Sequence, residues 1–226
     1  MFPSDCAPSR RTFLFAGAAF TATVSTLDLP VSYGSADDSG LAIVGPKQGY
    51  SPQIGTLVSE MAFMRDQVLH SVKGMSQADL DFLLDNKANA IGALLLHLAA
   101  VEKFYQLNTL QGLSEDKIPE SFKEKWGMPM ELGEPARKGI KDNNLDYYLN
   151  ILRETRESTL VEFRKRDDAW LMAVDKTWGW GPTNNYCKWF HVTEHEANHN
   201  GQIKLLKSRI PGAKPVSEYT RSRDSP

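Results

Sequence analysis

The sequence predicts an all-α, four-helix bundle, on three observations. Apolar residues recur at three- and four-residue steps in four long stretches, no segment shows the alternation of a credible strand, and the length suits a single core. Read in order, the elements support this one by one.

The chain opens with Ser9-Arg10-Arg11-Thr12-Phe13-Leu14, which matches the twin-arginine export pattern, followed by an apolar, small-residue run to about Val24. That run is shorter than the roughly 20 apolar residues a membrane-spanning helix needs. Gly34-Ser35-Ala36 offers small residues for a signal peptidase. Residues 1–36 are therefore read as a cleaved twin-arginine signal, which places the mature protein in the periplasm or outside the cell. Residues 37–52, rich in Gly, Ser, Asp and Pro, read as a flexible leader, 53–210 as the bundle, and 211–226 as a polar tail. No later segment is apolar enough to cross a bilayer.

The first helix starts near Pro52, carries Ile54, Leu57, Met61, Met64 and Val68 on one face, and stops at Gly74. A second runs from about Asn86 to Leu110, with Ile91, Leu94, Leu95, Leu98, Val101 and Tyr105 inward and His97 among them. Residues 112–143 break every pattern with Pro119, Pro129, Pro135, Gly127, Gly133 and Gly139; they form a lid or wrap, or an ordered crossover without further role. The third helix, about Leu145 to Arg166, points Leu149, Leu152, Thr155, Leu160 and Phe163 inward and Glu154, Arg156, Glu157 and Lys165 to solvent. After Trp170-Leu171-Met172 and the turn-rich 178–182, the fourth helix spans about Asn184 to Ser208, ended by Pro211-Gly212.

Composition narrows the function. A formal charge of −2 and a pI near 6.2 lack the basic footprint of a nucleic-acid binder. Cys6 falls in the signal, so Cys187 stands alone in the mature chain and no intrachain disulfide forms.

Of the five histidines, three lie in one helical stripe, His191, His195 and His199. Neutral imidazole is a common ligand for zinc, nickel, copper and iron. Residues four apart on a helix start about 6 Å apart, and their rings can converge on an ion; residues eight apart start about 12 Å apart and cannot. The helix thus supplies either His191 with His195 or His195 with His199. A third ligand has to come from another helix. His97 is the best candidate, since His70 sits near a helix C-terminus, where a solvated imidazole is the plain expectation.

Two of these helices carry a family resemblance. Leu94 to Glu102 reads LLLHLAAVE, similar to the LLxHLAxVE helix of the DinB-like superfamily, which includes the YfiT-like proteins; His191 to Ile203 reads HVTEHEANHNGQI, similar to its HxxEHExxHxGQI helix. Order and spacing resemble that family over about residues 52–210. The resemblance implies an up-down-down-up bundle and a three-histidine site of His97, His195 and His199, with His191 one turn away as a pocket residue. Many members carry a histidine where this chain has Asn198, a position off the stripe.

Three histidines leave coordination positions open, as in catalytic sites. The resemblance implies a divalent cofactor, zinc or nickel first and iron also admissible, acting on a small-molecule substrate. Relatives that activate a small thiol suggest a transferase and others a hydrolase; the export signal weighs against the former, because such thiols are mainly cytosolic. The alternative is a non-catalytic, metal-dependent binding or stress-response protein. Glu102 and Glu196 are the nearby carboxylates, read as surface or supporting groups rather than general bases. Trp178, Trp180, Trp189 and Phe190 suggest a pocket mouth, although aromatics so placed more often cap a core. Bundles of this type often pair, which makes a homodimer an expectation.

Overall fold

The structure is a computed structural model that describes residues 40–213. The predicted signal, residues 1–36, lies outside the described residues, as does the tail from 214 onward. Among the described residues, eight α-helices follow in order: α1 (Pro52–Val72), α2 (Gln77–Leu80), α3 (Ile91–Tyr105), α4 (Glu120–Glu131), α5 (Gly133–Gly139), α6 (Leu145–Phe163), α7 (Asp168–Met172) and α8 (Asn185–Lys207). The all-α reading holds with one small correction. Val174–Asp175 (β1) pairs antiparallel with Thr183–Asn184 (β2), a two-residue ladder closed by the Gly- and Trp-rich turn and too short to show any alternation in sequence.

Local chemistry sets the helix ends. Pro52 opens α1 at a position where its missing N–H costs nothing. The chain leaves α1 through Gly74, whose φ of +74° few other residues adopt readily. Asn144 caps α6 by accepting from Tyr147 N, and Asn184 caps α8 by accepting from Cys187 N. The second long helix begins at Ile91 rather than near Asn86, because Asp85 turns the chain by accepting from the backbone N–H groups of Lys87 and Ala88. Its last turn, Gln106–Leu110, widens into a π-helix.

The long helices pack up-down-down-up. On α1 and α8, Arg65 meets Glu196 and Ser71 meets Asn200, so the two run parallel. On α3 and α6, Gly92 faces Tyr148 and Glu102 meets Thr159, also parallel. His97 with His195 and Asn108 with Lys188 pair α3 and α8 antiparallel.

Two apolar clusters fill the interior. One holds Val68, Val72, Leu94, Leu98, Tyr148, Leu152, Ile203 and Leu206; the other holds Ile54, Leu57, Met61, Tyr105, Phe163, Leu171 and Trp189. Between them, at the middle of each long helix, lies a buried ionic layer of Arg65, Glu102, Arg156 and Glu196. Arg156 therefore corrects the expected solvated face of the third helix: it is 8% exposed, and its guanidinium faces inward.

The 112–143 crossover is ordered into α4 and α5 rather than loose. It packs onto α3 through Trp126 and Ala136, with Phe122 and Met130 beside them. Pro129 sits inside α4 and is buried, so the residue that breaks the sequence pattern lies within the helix. At the N-terminal end, Gly45 N donates to Ser59 Oγ, and the 46–47 backbone runs so close to α1 that a Cβ on Gly55 would collide with Lys47 N.

Candidate metal centre

His97 projects from the middle of α3, and His195 and His199 from one face of α8. One ring nitrogen from each lies within 4.8 Å of the others. The ring centroids stand 4.9, 4.9 and 4.5 Å apart, close to an equilateral triangle. His97 Nε2 lies 2.9 Å from His195 Nε2. Two imidazoles bound tetrahedrally at about 2.1 Å would hold their nitrogens about 3.4 Å apart, so a half-ångström opening admits an ion.

Groups on α4 and α8 aim two of the rings. His97 Nδ1 lies 2.7 Å from Pro129 O. A carbonyl only accepts, so Nδ1 carries the proton and Nε2 presents its lone pair to the centre. That carbonyl is near the C-terminus of α4, where helix carbonyls lack intrahelical partners. His199 Nδ1 lies 3.0 Å from Gln202 Oε1, and Gln202 Nε2 in turn donates to Asn198 Oδ1, which orients the amide and leaves His199 Nε2 free for the centre. Such outer partners fix the ring and the tautomer in metal sites.

Burial keeps the imidazoles neutral. It lowers the pKa of His97 to about 4, against the opposing bond to Pro129 O. It lowers that of His195 to about 3, helped by the neighbouring His199, His97 and His191. The pKa of His199 is also lowered, again by burial. All three are uncharged at neutral pH, the state that metal binding requires.

His191 does not join the triangle. Its ring stands 5.1 Å from that of His195, and its Nδ1 lies 2.9 Å from the Tyr105 hydroxyl. The structure thus brings together the lower pair of the stripe with His97, and sets His191 one turn above. His70 is exposed on the last turn of α1, apart from all of them.

The aromatics divide. Trp180 is 59% exposed and stands edge-on to His191 at 5.0 Å. Trp178 packs on Phe104 and Tyr105 at 6.2 and 5.9 Å. These two border the side of the site near His191. Trp189, by contrast, is fully buried with its Nε1–H donated to Thr109 Oγ1, and belongs to the core; Phe190 is exposed. The loop carrying Trp178 and Trp180 is pinned by Lys188, which is buried, donates to Asp175 Oδ2 and Asn108 Oδ1, and lies 4.2 Å from the Trp178 ring centroid. A surface depression of about 730 Å³ elsewhere, between the π-turn and α6, contains none of the imidazoles.

Glu102 and Glu196 are not surface groups. Both are buried in the ionic layer, with oxygens engaged by guanidiniums, and neither is hydrogen-bonded to an imidazole. Burial alone would raise the Glu102 pKa, but Arg156 and Arg65 outweigh it and hold the carboxyl below its ordinary value. Sequence reasoning missed Arg65, Arg156, Gln202 and the Pro129 carbonyl. Only Gln202 carried a signal, three residues after His199 on the same helix.

The family model described as Mycothiol-S-transferase matches residues 56–212, which include all three triad histidines. Among solved structures, the fold is similar to that of a conserved protein from Enterococcus faecalis, at 15% identity and a TM-score of 0.53, covering 69% of this chain and 95% of that one. At that identity the likeness shows the fold alone. No curated protein matches the chain.

Proposed function

The chain belongs to the mycothiol-S-transferase family, a DinB-like family, and from that premise we propose that it is a metal-dependent thiol S-transferase using the centre formed by His97, His195 and His199. The observation that carries the proposal is the convergence of ring nitrogens from three neutral imidazoles within 4.8 Å, two of the rings braced from outside. Three nitrogen donors suit zinc, nickel or iron, and they leave positions for a substrate. A divalent ion there would supply Lewis acidity and favour a bound thiol as its thiolate.

The chain's own groups do the rest. His97 and His199 are held by Pro129 O and Gln202 and keep their Nε2 atoms on the centre. Trp180 and Trp178 border the approach past His191. Burial lowers the His191 pKa, so it is neutral, and its contact with Tyr105 fixes its ring where it can take the thiol proton. The sulfur then bonds to an electrophilic carbon as the leaving group departs with the electron pair, and the proton leaves with that group. The family match favours thiol transfer over hydrolysis, and mycothiol is the thiol its description names.

The test has two arms. Untagged protein should bind one divalent ion per chain. With the ion bound, it should speed conjugation of mycothiol to a small electrophile, and His195→Ala should remove both properties. A bound ion with equal rates in wild type and variant would leave a non-catalytic binder. Absence of a bound ion, with melting unchanged by a chelator, would reject the metal reading.

We also propose that Arg10 and Arg11 direct export by the twin-arginine route, which carries folded proteins and would let the ion be loaded first. Arg10→Lys with Arg11→Lys should keep the chain in the cytoplasm at its full-length mass; periplasmic protein in that variant would refute the assignment.

A further inference from the structure

The inference rests on the metal reading above and concerns what holds the imidazoles together. Both carboxylates of the ionic layer stand on the two helices that carry the triad: Glu102 on α3, five residues after His97, and Glu196 on α8, next to His195. Both guanidiniums stand on α1 and α6, which carry none of the three.

Each guanidinium reaches both carboxylates. Arg65 Nη2 lies 3.1 Å from Glu102 Oε2 and 2.6 Å from Glu196 Oε1, and its Nε donates to Glu196 Oε1 at 3.1 Å. Arg156 donates from Nε to Glu102 Oε1 at 2.8 Å, and from Nη2 to Glu102 Oε2 at 3.1 Å and Glu196 Oε1 at 2.7 Å. The forks are themselves fixed. Arg65 Nη1 donates to Leu152 O and Arg156 Nη1 to Met61 O, while Thr159 Oγ1 donates to Glu102 Oε1 at 2.6 Å. Beside the triad, then, α3 and α8 are bridged twice through arginines that cannot turn without losing bonds.

We propose that Arg65 and Arg156 are positioning residues, a double clasp that sets the separation and rotation of α3 and α8 at which the three imidazoles meet one cation. Two physical points favour this over a purely stabilising role. Buried ion pairs add little net stability over apolar residues of equal volume, and their best-attested use is to specify one arrangement. The layer is also imperfect as a source of stability, since Glu196 Oε2 is buried without a hydrogen-bond partner. A lysine keeps the charge but lacks the planar fork needed to span two carboxylates.

The test compares zinc affinity, measured by competition with a chromophoric chelator, with melting of the metal-free protein. Arg156→Lys should bind zinc at least about tenfold more weakly than wild type, in the range seen when groups orienting metal ligands are removed. Thr159→Val, which deletes the bond to Glu102 Oε1 together with the one that Thr159 Oγ1 accepts from Gln106 Nε2, should weaken binding severalfold. Leu206→Ala, in the apolar cluster away from the clasp, should lower the melting temperature while zinc affinity stays within twofold. Zinc affinity within twofold of wild type in Thr159→Val and in any folded Arg156→Lys, or an equal loss in Leu206→Ala, overturns the clasp. Should Arg156→Lys fail to fold, Thr159→Val decides alone. Wild-type protein that binds no zinc or other divalent ion would instead defeat the metal reading, a result distinct from either.

Discussion

His97 Nε2 lies 2.9 Å from His195 Nε2, across 98 residues of sequence, and each ring is turned there by a different part of the fold. His97 is aimed from behind by the Pro129 carbonyl of the crossover. His195 is aimed by its place on α8 between Trp189 and Ile203, which anchor that helix in the two apolar clusters. A residue shared by every geometry that links α3 and α8 should be the one whose loss is total.

His195→Ala is therefore expected to abolish stoichiometric metal binding, and His191→Ala to weaken it less than about tenfold, because His191 stands outside the triangle and, of the three triad rings, meets His195 edge-on. Metal content after dialysis, with a titration of each variant, checks this. Greater damage from His191→Ala would mean that the upper pair of the stripe holds the ion.

The metal-free protein should lose stability in acid through the same rings. In the unfolded chain each imidazole titrates near 6.5, whereas His97 is lowered to about 4 and His195 to about 3 on folding. Between those values the unfolded chain binds more protons, so a falling pH favours unfolding. This contribution is complete above about pH 7, declines from about pH 6.5, and levels off only below about pH 4 for His97 and about pH 3 for His195. The slope for His97 approaches about 1.4 kcal/mol per pH unit, and half-buried His195 adds less because solvent screens it. Urea melts with a chelator present, at pH 7.5 and pH 5, should show the fall, and His97→Gln should reduce it. An unchanged urea midpoint in the wild-type protein would contradict the burial of these rings as neutral bases.

The bundle was legible in the sequence because it follows short-range periodicity; for the triad, periodicity left either His191 with His195 or His195 with His199, and the resemblance to the DinB-like helices chose between them. Ile54, Leu57, Met61 and Val68 fall on one helical face, and His195 and His199 differ by one turn. The ionic layer was not legible. A pattern that separates apolar from charged residues sends Arg156 to solvent, and only the spatial meeting of four helices shows that Arg65, Glu102 and Glu196 receive it. The crossover was illegible for a related reason. Pro129 reads as a breaker in isolation, yet it is buried inside α4 and its carbonyl accepts a hydrogen bond from His97 Nδ1, 32 residues away in sequence.

Gln202 braces His199 through its side-chain oxygen, so Gln202→Ala should weaken zinc binding by about 10- to 100-fold with little change in melting. In wild-type, metal-free protein, nitrogen NMR should find His97 and His199 protonated at Nδ1, and in Gln202→Ala the His199 ring should become a mixture of tautomers. A single Nε2-protonated form of His199 in the wild-type protein would reverse the assignment of its ligating nitrogen.

Lys188 tests whether the aromatic border depends on the small ladder beneath it. Its ammonium joins Asp175 Oδ2 at 2.7 Å and Asn108 Oδ1 at 2.8 Å under the Trp178 ring, and Asp175 is lowered to about 2 chiefly by the bond from Lys188. Lys188→Met keeps the aliphatic stem but leaves Asn108 and Asp175 without their donor, an expected loss of about 1–3 kcal/mol. Because the ammonium ties β1 to the π-turn, the same change should free residues 173–184 to proteolysis before the bundle melts, while zinc affinity stays near that of wild type. Cleavage no faster than in wild type would show that the β1–β2 pairing alone holds Trp178 and Trp180 in place.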